Sequence, residues 1–474
     1  MATQKGKISV LKKFCPWVIG FAVVMALSSG QALAQTTAAE IQADAEAALV
    51  SGDPAQTVIL ANQLLEDNPD SFAALFLLAL AQSDLDLPRE AAASASRAYR
   101  AAPSEETRLQ TARLAATAHF RAEQFARAEF WFRRAANHIA TEEDAEAIVR
   151  GFQRAREANP ITTQYTASIA PSDNINDGSD ASRLCFENLD GTCFIELDLR
   201  EDQLALSGLE YNGSASIRYR LSQTPRQTTT IGGLVFGQGV VFSDETETLL
   251  SESESEIVRD LEPSDFSAFL AQFSLEQQQT MFSPLGPTRI AYNYGRYWRG
   301  GDLLVDYHDL ILGQIVPFEG GRSLALESSV RQQRAQAPGL IDSTIYDLSG
   351  SYQWRFDNRD VTTLTLAGKY NDASEESTFV EYRLRSDYAI GRQIFETSWS
   401  TFAEIGYRSF DEFSSTLDGR RDRFARAGVT AVFEEISYFG FSPSMTLFAS
   451  RTDSDVSFID SSKVSLSFGI ASNF

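Results

Sequence analysis

Lys463-Val464-Ser465-Leu466-Ser467-Phe468-Gly469-Ile470-Ala471-Ser472-Asn473-Phe474 is the stretch on which the reading of this chain turns. Val464, Leu466, Phe468 and Ile470 recur at every second position, with small or polar residues between them. A strand sends successive side chains to opposite faces, so one face is apolar and the other is not. That is the pattern of a barrel wall in a bilayer, and it also fits the edge of a soluble sandwich. Working outward, the same period-two texture fills the chain after Pro160 in thirteen further stretches, from 162–170 and 204–221 to 423–435 and 438–451. Fourteen strands is an even number, as single-chain membrane barrels require. Aromatic rows such as Tyr292, Tyr294, Tyr297 and Trp298, or Tyr352, Trp354 and Phe356, suit interface girdles; a soluble domain would have to keep them dry.

The connections alternate in length. Asp357-Asn358-Arg359-Asp360 and Gly391-Arg392-Gln393 are short turns, while 171–203, 243–265 and 411–422 are long. The Ser-Glu run inside 243–265 reads as a solvated, mobile loop.

Residues 36–159 have a different texture, rich in Ala, Leu, Glu and Arg. Pro54 and Pro88 lie 34 apart, as do Pro69 and Pro103, a period that resembles the tetratricopeptide repeat. Ala79, Ala91 and Ala98, then Ala116, Ala128 and Ala135, fall where paired helices approach closely. The third unit is displaced by three residues, which predicts a longer turn near 104–107. Stacked helix pairs form a solenoid whose concave face suits an extended peptide. Phe125, Phe130, Trp131 and Phe132 read as core of this solenoid, because aromatics at helical spacing usually are.

Lys5, Lys7, Lys12 and Lys13 precede an apolar run at 14–27, and Ala32-Leu33-Ala34 follows as a small-residue cleavage site. The expectation is an export signal over 1–34 and a mature chain from Gln35. The whole chain carries 41 basic and 64 acidic residues, a net −23; without those four lysines the balance is 37 against 64, a net −27. So acidic a chain repels phosphate, which excludes nucleic acid as a partner. An oxidising compartment favours a disulfide between Cys185 and Cys193, two free thiols being the alternative. A zinc site would need four ligands, and no histidine is near.

His119, His138 and His308 are isolated, and no phosphate-cradling loop or hydrolase motif occurs, so no catalytic, cofactor-binding or metal residue is assigned. Asp173-Asn174-Ile175-Asn176-Asp177-Gly178 resembles a calcium loop, but Ile175 takes a ligand position and Leu184 stands where the closing Glu belongs.

Two motifs carry a resemblance to a family. Pro171, Asp173, Asn174, Ile175 and Asn176 resemble the motif that joins helical arm to barrel in the surface lipoprotein assembly modulators (Slam). The tail, Gly440-Phe441-Ser442-Pro443 with Arg451-Thr452-Asp453-Ser454-Asp455, resembles the end of that family's barrel. The terminal Phe474 is similar to the signal by which assembly machinery recognises outer-membrane barrels. The resemblance implies three parts: signal peptide over 1–34, periplasmic tetratricopeptide domain over 35–160, and a 14-stranded antiparallel transmembrane barrel over 161–474. It implies an outer-membrane translocon whose partners are a surface lipoprotein or secreted protein cargo and the barrel assembly machinery. A polysaccharide exporter and a passive porin are the alternatives.

Overall fold

Pro54 and Pro88 each open a helix, where a missing N–H costs nothing and a fixed φ is already helical. The computed structural model describes residues 32–187, 193–280, 285–412, 419–436 and 441–472; the export-signal expectation, but for its last residues, lies outside them. The chain forms two compact units, Met1–Ala155 and Arg156–Phe474.

The first unit contains the antiparallel pairs α1 (Ala32–Ser51) with α2 (Pro54–Asp67), α3 (Phe72–Asp84) with α4 (Pro88–Ala101), and α5 (Glu105–Arg121) with α6 (Phe125–Ala136); α7 (Glu142–Ala158) follows. The turn within each pair places one residue in the left-handed region: Gly52 at φ +82°, Asp86 at +58° and Glu123 at +59°. The repeat is thus written in the backbone, spaced 34 and then 37 residues, although only the first position is glycine. Ser71 and Ser104 cap α3 and α5. The three extra residues of the third pair do not lengthen the turn at 104–107, as the sequence suggested. They lie inside α5, which has 17 residues against 13 in α3. A helix absorbs added residues with hydrogen bonds intact, whereas a longer turn leaves them to solvent.

Ala79, Ala91, Ala98, Ala116, Ala128 and Ala135 are all fully buried. Trp131 and Phe132 belong to the core with Leu109, Ile148 and Ala155. Each such ring contributes about 1.5–3 kcal/mol by leaving water. The tetratricopeptide-like reading therefore holds, and these aromatics are packing residues.

The second unit is a closed antiparallel barrel of fourteen strands. They are β1 (Ile161–Ser172) and, after a small hairpin of β2 (Arg183–Glu187) and β3 (Cys193–Asp198), the run β4 (Gly208–Thr224), β5 (Gln227–Phe242), β6 (Ala268–Gln279), β7 (Thr288–Arg299), β8 (Asp302–Phe318) and β9 (Arg322–Ala335). It continues through β10 (Ser343–Arg355), β11 (Val361–Asp372), β12 (Phe379–Ala389), β13 (Thr397–Phe410), β14 (Arg420–Phe433), β15 (Phe441–Ser454) and β16 (Ser461–Ser472). Every strand foreseen from period two is present. The seam closes where β1 pairs with β16, Ile169 opposite Phe468 and Thr166 opposite Ala471. Closure leaves no open edge, the condition for a sheet to survive in lipid.

Outward positions carry an apolar band. Leu348, Leu366 and Ile405 are 65, 64 and 60% exposed, values that suit hydrocarbon and not water. Aromatics flank the band, Tyr346 stacked on Tyr370 towards one rim and Tyr352 against Trp354 towards the other. Tyr297 is not part of the outer row. Plain alternation along β7 puts Tyr297 on the inner face with Asn293, while Trp298 faces out opposite Phe269.

The connections 173–207, 243–267 and 411–419 share one rim, here the long-loop rim, with a tight turn at Gly300-Gly301 among them. The opposite rim carries the turns at 356–360 and 390–396, tied together where Asp360 accepts the Gly391 N–H at 2.8 Å and the Tyr388 hydroxyl.

Candidate functional site

The inner wall is the part of the molecule that a transported solute would touch, and its chemistry follows from strand parity. Where Tyr382, Leu384 and Tyr388 face out, Glu381, Arg383, Arg385 and Asp387 face in. Neighbouring strands complete the pairing. Arg408 reaches Glu381 at 2.6 Å, Arg426 reaches Glu404 at 3.1 Å, and Arg385 stands 4.0 Å from the same Glu404. Arg385 lies over the Phe402 ring and Arg408 over Phe379, so each guanidinium is held on a face as well as at an edge.

Glycines on the inner face let these groups extend further. Gly232 on β5 lies between Arg218 and β6, where a Cβ would meet Ser274 Oγ at 2.6 Å; Arg218 crosses it to Glu276 at 2.8 Å. Arg289 binds the same carboxylate at 2.9 Å and continues over Gly313 to Glu327 at 3.0 Å. Gly295, Gly406 and Gly428 instead sit beneath the rings of Tyr307, Phe424 and Phe402 directly across from them. These rings cover backbone that would otherwise be bare. Asp309, 2% exposed, accepts from Asn293 and from Arg331 at 3.1 Å. Removing Arg331 would leave that charge unpaired at a cost of about 3–5 kcal/mol. The remaining inner wall is hydroxyl-rich, with Thr166 on Ser214, Ser351 on Thr365 and Thr430 on Thr446 at 2.6–2.9 Å. A wall of alternating sign and small hydroxyls offers a polar chain hydrogen bonds without a strong field of one sign.

The long-loop rim is partly filled from within. Ile175, Leu206, Val240, Phe242, Leu250 and Val258 form an apolar cluster. Val240 and Phe242 occupy the face of β5 opposite exposed Val235 and Val241, so the loops pack on the inside of the wall. The Ser-Glu run stays solvent-facing apart from buried Ser253, as expected, but it is held between two short helices, α8 (Asp244–Ser251) and α9 (Glu256–Arg259), with Leu250 and Val258 anchoring an otherwise acidic surface.

Four of the five residues assigned as a linker motif, Asp173 to Asn176, hold this cap together. They do not join the helical arm to the barrel, a role taken by Asn159-Pro160 at the other end of β1; β1 lies between the two places. Asn174 is 1% exposed: its Nδ2 donates to the carbonyls of Gly178 and Ser462, and its Oδ1 accepts the Gly178 N–H at 2.8 Å. Asp173 Oδ1 accepts the N–H of Val464 at 2.9 Å, so the motif also pins the closing strand. Asn176 donates to the Asp202 and Leu204 carbonyls and accepts from Leu206 N–H. Ile175 enters the apolar cluster, and Pro171 is opposite Leu209 in the β1–β4 register. Both carboxamides are consumed by backbone, which explains why a stretch like a calcium loop needs no cation to fold. Among the described residues no group of three or more His, Cys, Asp or Glu converges as a metal site would require.

Two expectations follow for the cap. Asn174→Ala leaves the two buried backbone groups of Gly178 unsatisfied, at about 1–3 kcal/mol each, and frees the partly buried Ser462 carbonyl, while the barrel ladder is untouched. Faster tryptic cleavage after Arg200 and Arg259, with unchanged heat-modifiable mobility, is the expected result; unaltered cleavage would count against the pinning role. Glu201 ties the two loops through Ser253 Oγ at 2.6 Å, and that hydrogen bond, the largest cause, holds its carboxyl below the ordinary value. A lowered pKa contributes stability above about pH 4.3 that is lost as pH falls through the lowered value. The protection of amides 250–255, taken relative to intrinsic exchange at each pH, should therefore fall on acidification below about pH 4 and stay flat between pH 6 and 8.

In the hairpin, β2 and β3 pair Cys185 with Glu196 and Glu187 with Cys193; the cysteine side chains lie outside the described residues, as does Phe474. The inner-wall ions escaped the sequence reading. Their signal was present in charges at the parity opposite to the apolar positions of a strand, as in Arg383, Arg385 and Asp387.

No family model matches the chain, and no curated protein matches it. Among solved structures, the helical part is similar to the TPR2B domain in a pHsp70 complex of yeast Sti1, at 18% identity and TM-score 0.24, covering 26% of this chain and 99% of that one. The barrel is similar to OccAB4 of Acinetobacter baumannii, at 9% identity and TM-score 0.33, covering 66% and 97%. It is also similar to a bacterial polysaccharide outer membrane secretin, at 10% identity and TM-score 0.34, covering 65% and 98%. Each is a likeness of fold to one unit.

Proposed function

We propose that this chain is an outer-membrane transport protein that passes a lipoprotein or a soluble protein from the periplasm to the cell surface, the helical arm binding the cargo. The observation that carries the reading is the direct continuation of a tetratricopeptide-like unit into a closed barrel with an apolar exterior and a polar inner wall. A helical-repeat surface suits an extended peptide, and tethering it to the barrel through Asn159-Pro160 raises the local concentration of bound cargo to about the millimolar range. With the arm in the periplasm, β1 runs outward, and the capped rim with Cys185 and Cys193 faces the exterior. The motif at 171–176 and the tail at 440–455 support a likeness to the surface lipoprotein assembly modulators.

The test is co-expression with a candidate lipoprotein, scored by protease shaving of intact cells. Surface exposure that depends on this chain is the expected result. Exposure of polysaccharide instead, with protein cargo unaffected, would favour the exporter reading.

A further inference from the structure

The outer wall of β11–β15 breaks the uniform apolar band in a way that the transport reading does not use. Register lays two outward rows side by side. One runs Gly368, Tyr382, Tyr407, Arg423, Asp453; the other runs Leu366, Leu384, Ile405, Ala425, Arg451. Ala425 is the small member between Ile405 and Arg451, and a groove of about 560 Å³ opens there. Its lower part is aliphatic, with Leu384, Ile405 and Ala425, and its upper part carries Tyr382, Tyr407 and two guanidinium groups with the Asp453 carboxylate beside them.

The charges at this end are arranged unlike those inside the barrel. Inner arginines meet carboxylates at 2.6–3.1 Å, as Arg408, Arg383 and Arg426 do. On the outer face, among the described residues, Arg451 has only Asp453, at 3.9 Å and with both side chains well exposed. Neither Arg423 nor the next outward residue of β14, Arg421, forms a side-chain ion pair among the described residues. Asp455 spends one oxygen on the Arg421 N–H. In a chain of net charge −23, an outward cluster of three arginines is a local reversal.

Height decides what can face it. β14 begins at Arg420 and β15 ends at Ser454, so Arg423 and Arg451 lie within a few residues of the long-loop rim. A lipid-facing arginine costs about 2–4 kcal/mol at the bilayer midplane and about 0–1 near the interface. At interfacial height the available anions are the phosphates of lipid headgroups, whose oxygens match a guanidinium fork. The apolar floor directly below fits an acyl chain. A phosphate-bearing lipid offers both chemistries at that spacing.

We infer that this groove is a binding site for a phosphate-bearing lipid of the surrounding membrane, with one acyl chain along Leu384, Ile405 and Ala425 and the phosphate between Arg423 and Arg451. The site rests on the reading of the barrel as membrane-spanning. Native mass spectrometry tests it on the full chain reconstituted in vesicles of phosphatidylglycerol or of an uncharged galactosyl diacylglycerol with the same acyl chains. Gel mobility before and after boiling is read on each preparation. A chain that fails to insert would overturn the membrane reading and the site together, whereas an inserted, heat-modifiable barrel isolates the site.

In that second case one phosphatidylglycerol should stay bound at collision energies that strip the galactolipid. Retention should fall about tenfold or more when both guanidinium–phosphate contacts are removed in an Arg423→Gln, Arg451→Gln double variant. Ala425→Leu, which fills the groove without touching charge, should lower retention as well. Arg296→Gln, an outward arginine on β7 bound to the Tyr294 hydroxyl, should leave it unchanged. Inorganic phosphate alone should not be retained. Equal retention of the two lipids, an unaffected double variant, or a lipid-free dimer occupying the groove would each overturn the proposal.

Discussion

Excision of residues 36–155 is expected to leave a folded barrel and to bring surface display of a co-expressed lipoprotein down to the level seen without the protein. The cut follows the division between the two units and keeps Glu157 and Asn159, whose carbonyls accept from Arg220 in the barrel. The arm has its own core, built on Trp131, Phe132 and the buried alanines, so the barrel loses none of its ladder when it goes. Transport should fail because capture becomes bimolecular. Against an effective concentration of about millimolar, a cargo present at micromolar levels loses roughly a thousandfold in occupancy. Total lipoprotein should stay constant while the exposed fraction falls. A porin would answer differently, with small-solute flux unchanged and no protein cargo affected. Equal display by the full-length and armless chains would exclude the arm as the cargo-binding module.

Removing residues 461–474 is expected to abolish the heat-modifiable form altogether. Without β16, the pairing of β1 with β16 and of β15 with β16 is lost, leaving two open edges. Each unsatisfied backbone group in hydrocarbon costs several kcal/mol, and the deletion strips a row of them from each neighbour. The cap loses its anchors too, because Asn174 donates to Ser462 and Asp173 accepts from Val464. Removal of Phe474 alone is expected to be milder: the ladder from Thr452 to Phe441 keeps its partners, and only recognition by the assembly machinery suffers. A heat-modifiable band of wild-type intensity from the chain lacking 461–474 would contradict the closed seam.

The sequence was most informative where structure repeats over a short period. Strands were legible because Val464, Leu466, Phe468 and Ile470 state their face by alternation alone, and the same holds around the barrel. The arm was legible through Pro54 and Pro88. What escaped was everything built by residues far apart in the chain. Ile175, Leu206, Leu250 and Val258 are single apolar residues within polar segments, and no period marks them as one cluster. The helices on either side of the Ser-Glu run were therefore missed, although the two buried side chains of Leu250 and Val258 suffice to seat them. The stretch at 171–176 was singled out but read as joining arm to barrel, whereas it lies at the far end of β1, since its partners at Ser462 and Val464 are nearly three hundred residues away. The inner-wall pairs were missed for a related reason: Arg218 meets Glu276 across an intervening strand, through a space that Gly232 leaves open.

The central claim is that this chain passes a protein through a lipid bilayer and uses its arm to do so. Purified full chain in lipid vesicles, given an unfolded lipoprotein on the arm side, tests it most directly through the fraction of cargo that becomes enclosed and resistant to added protease. The account predicts a protected fraction that grows with time, is absent from vesicles without the barrel, and is nearly lost with the armless chain. Free passage of small solutes with the cargo remaining wholly digestible would contradict it.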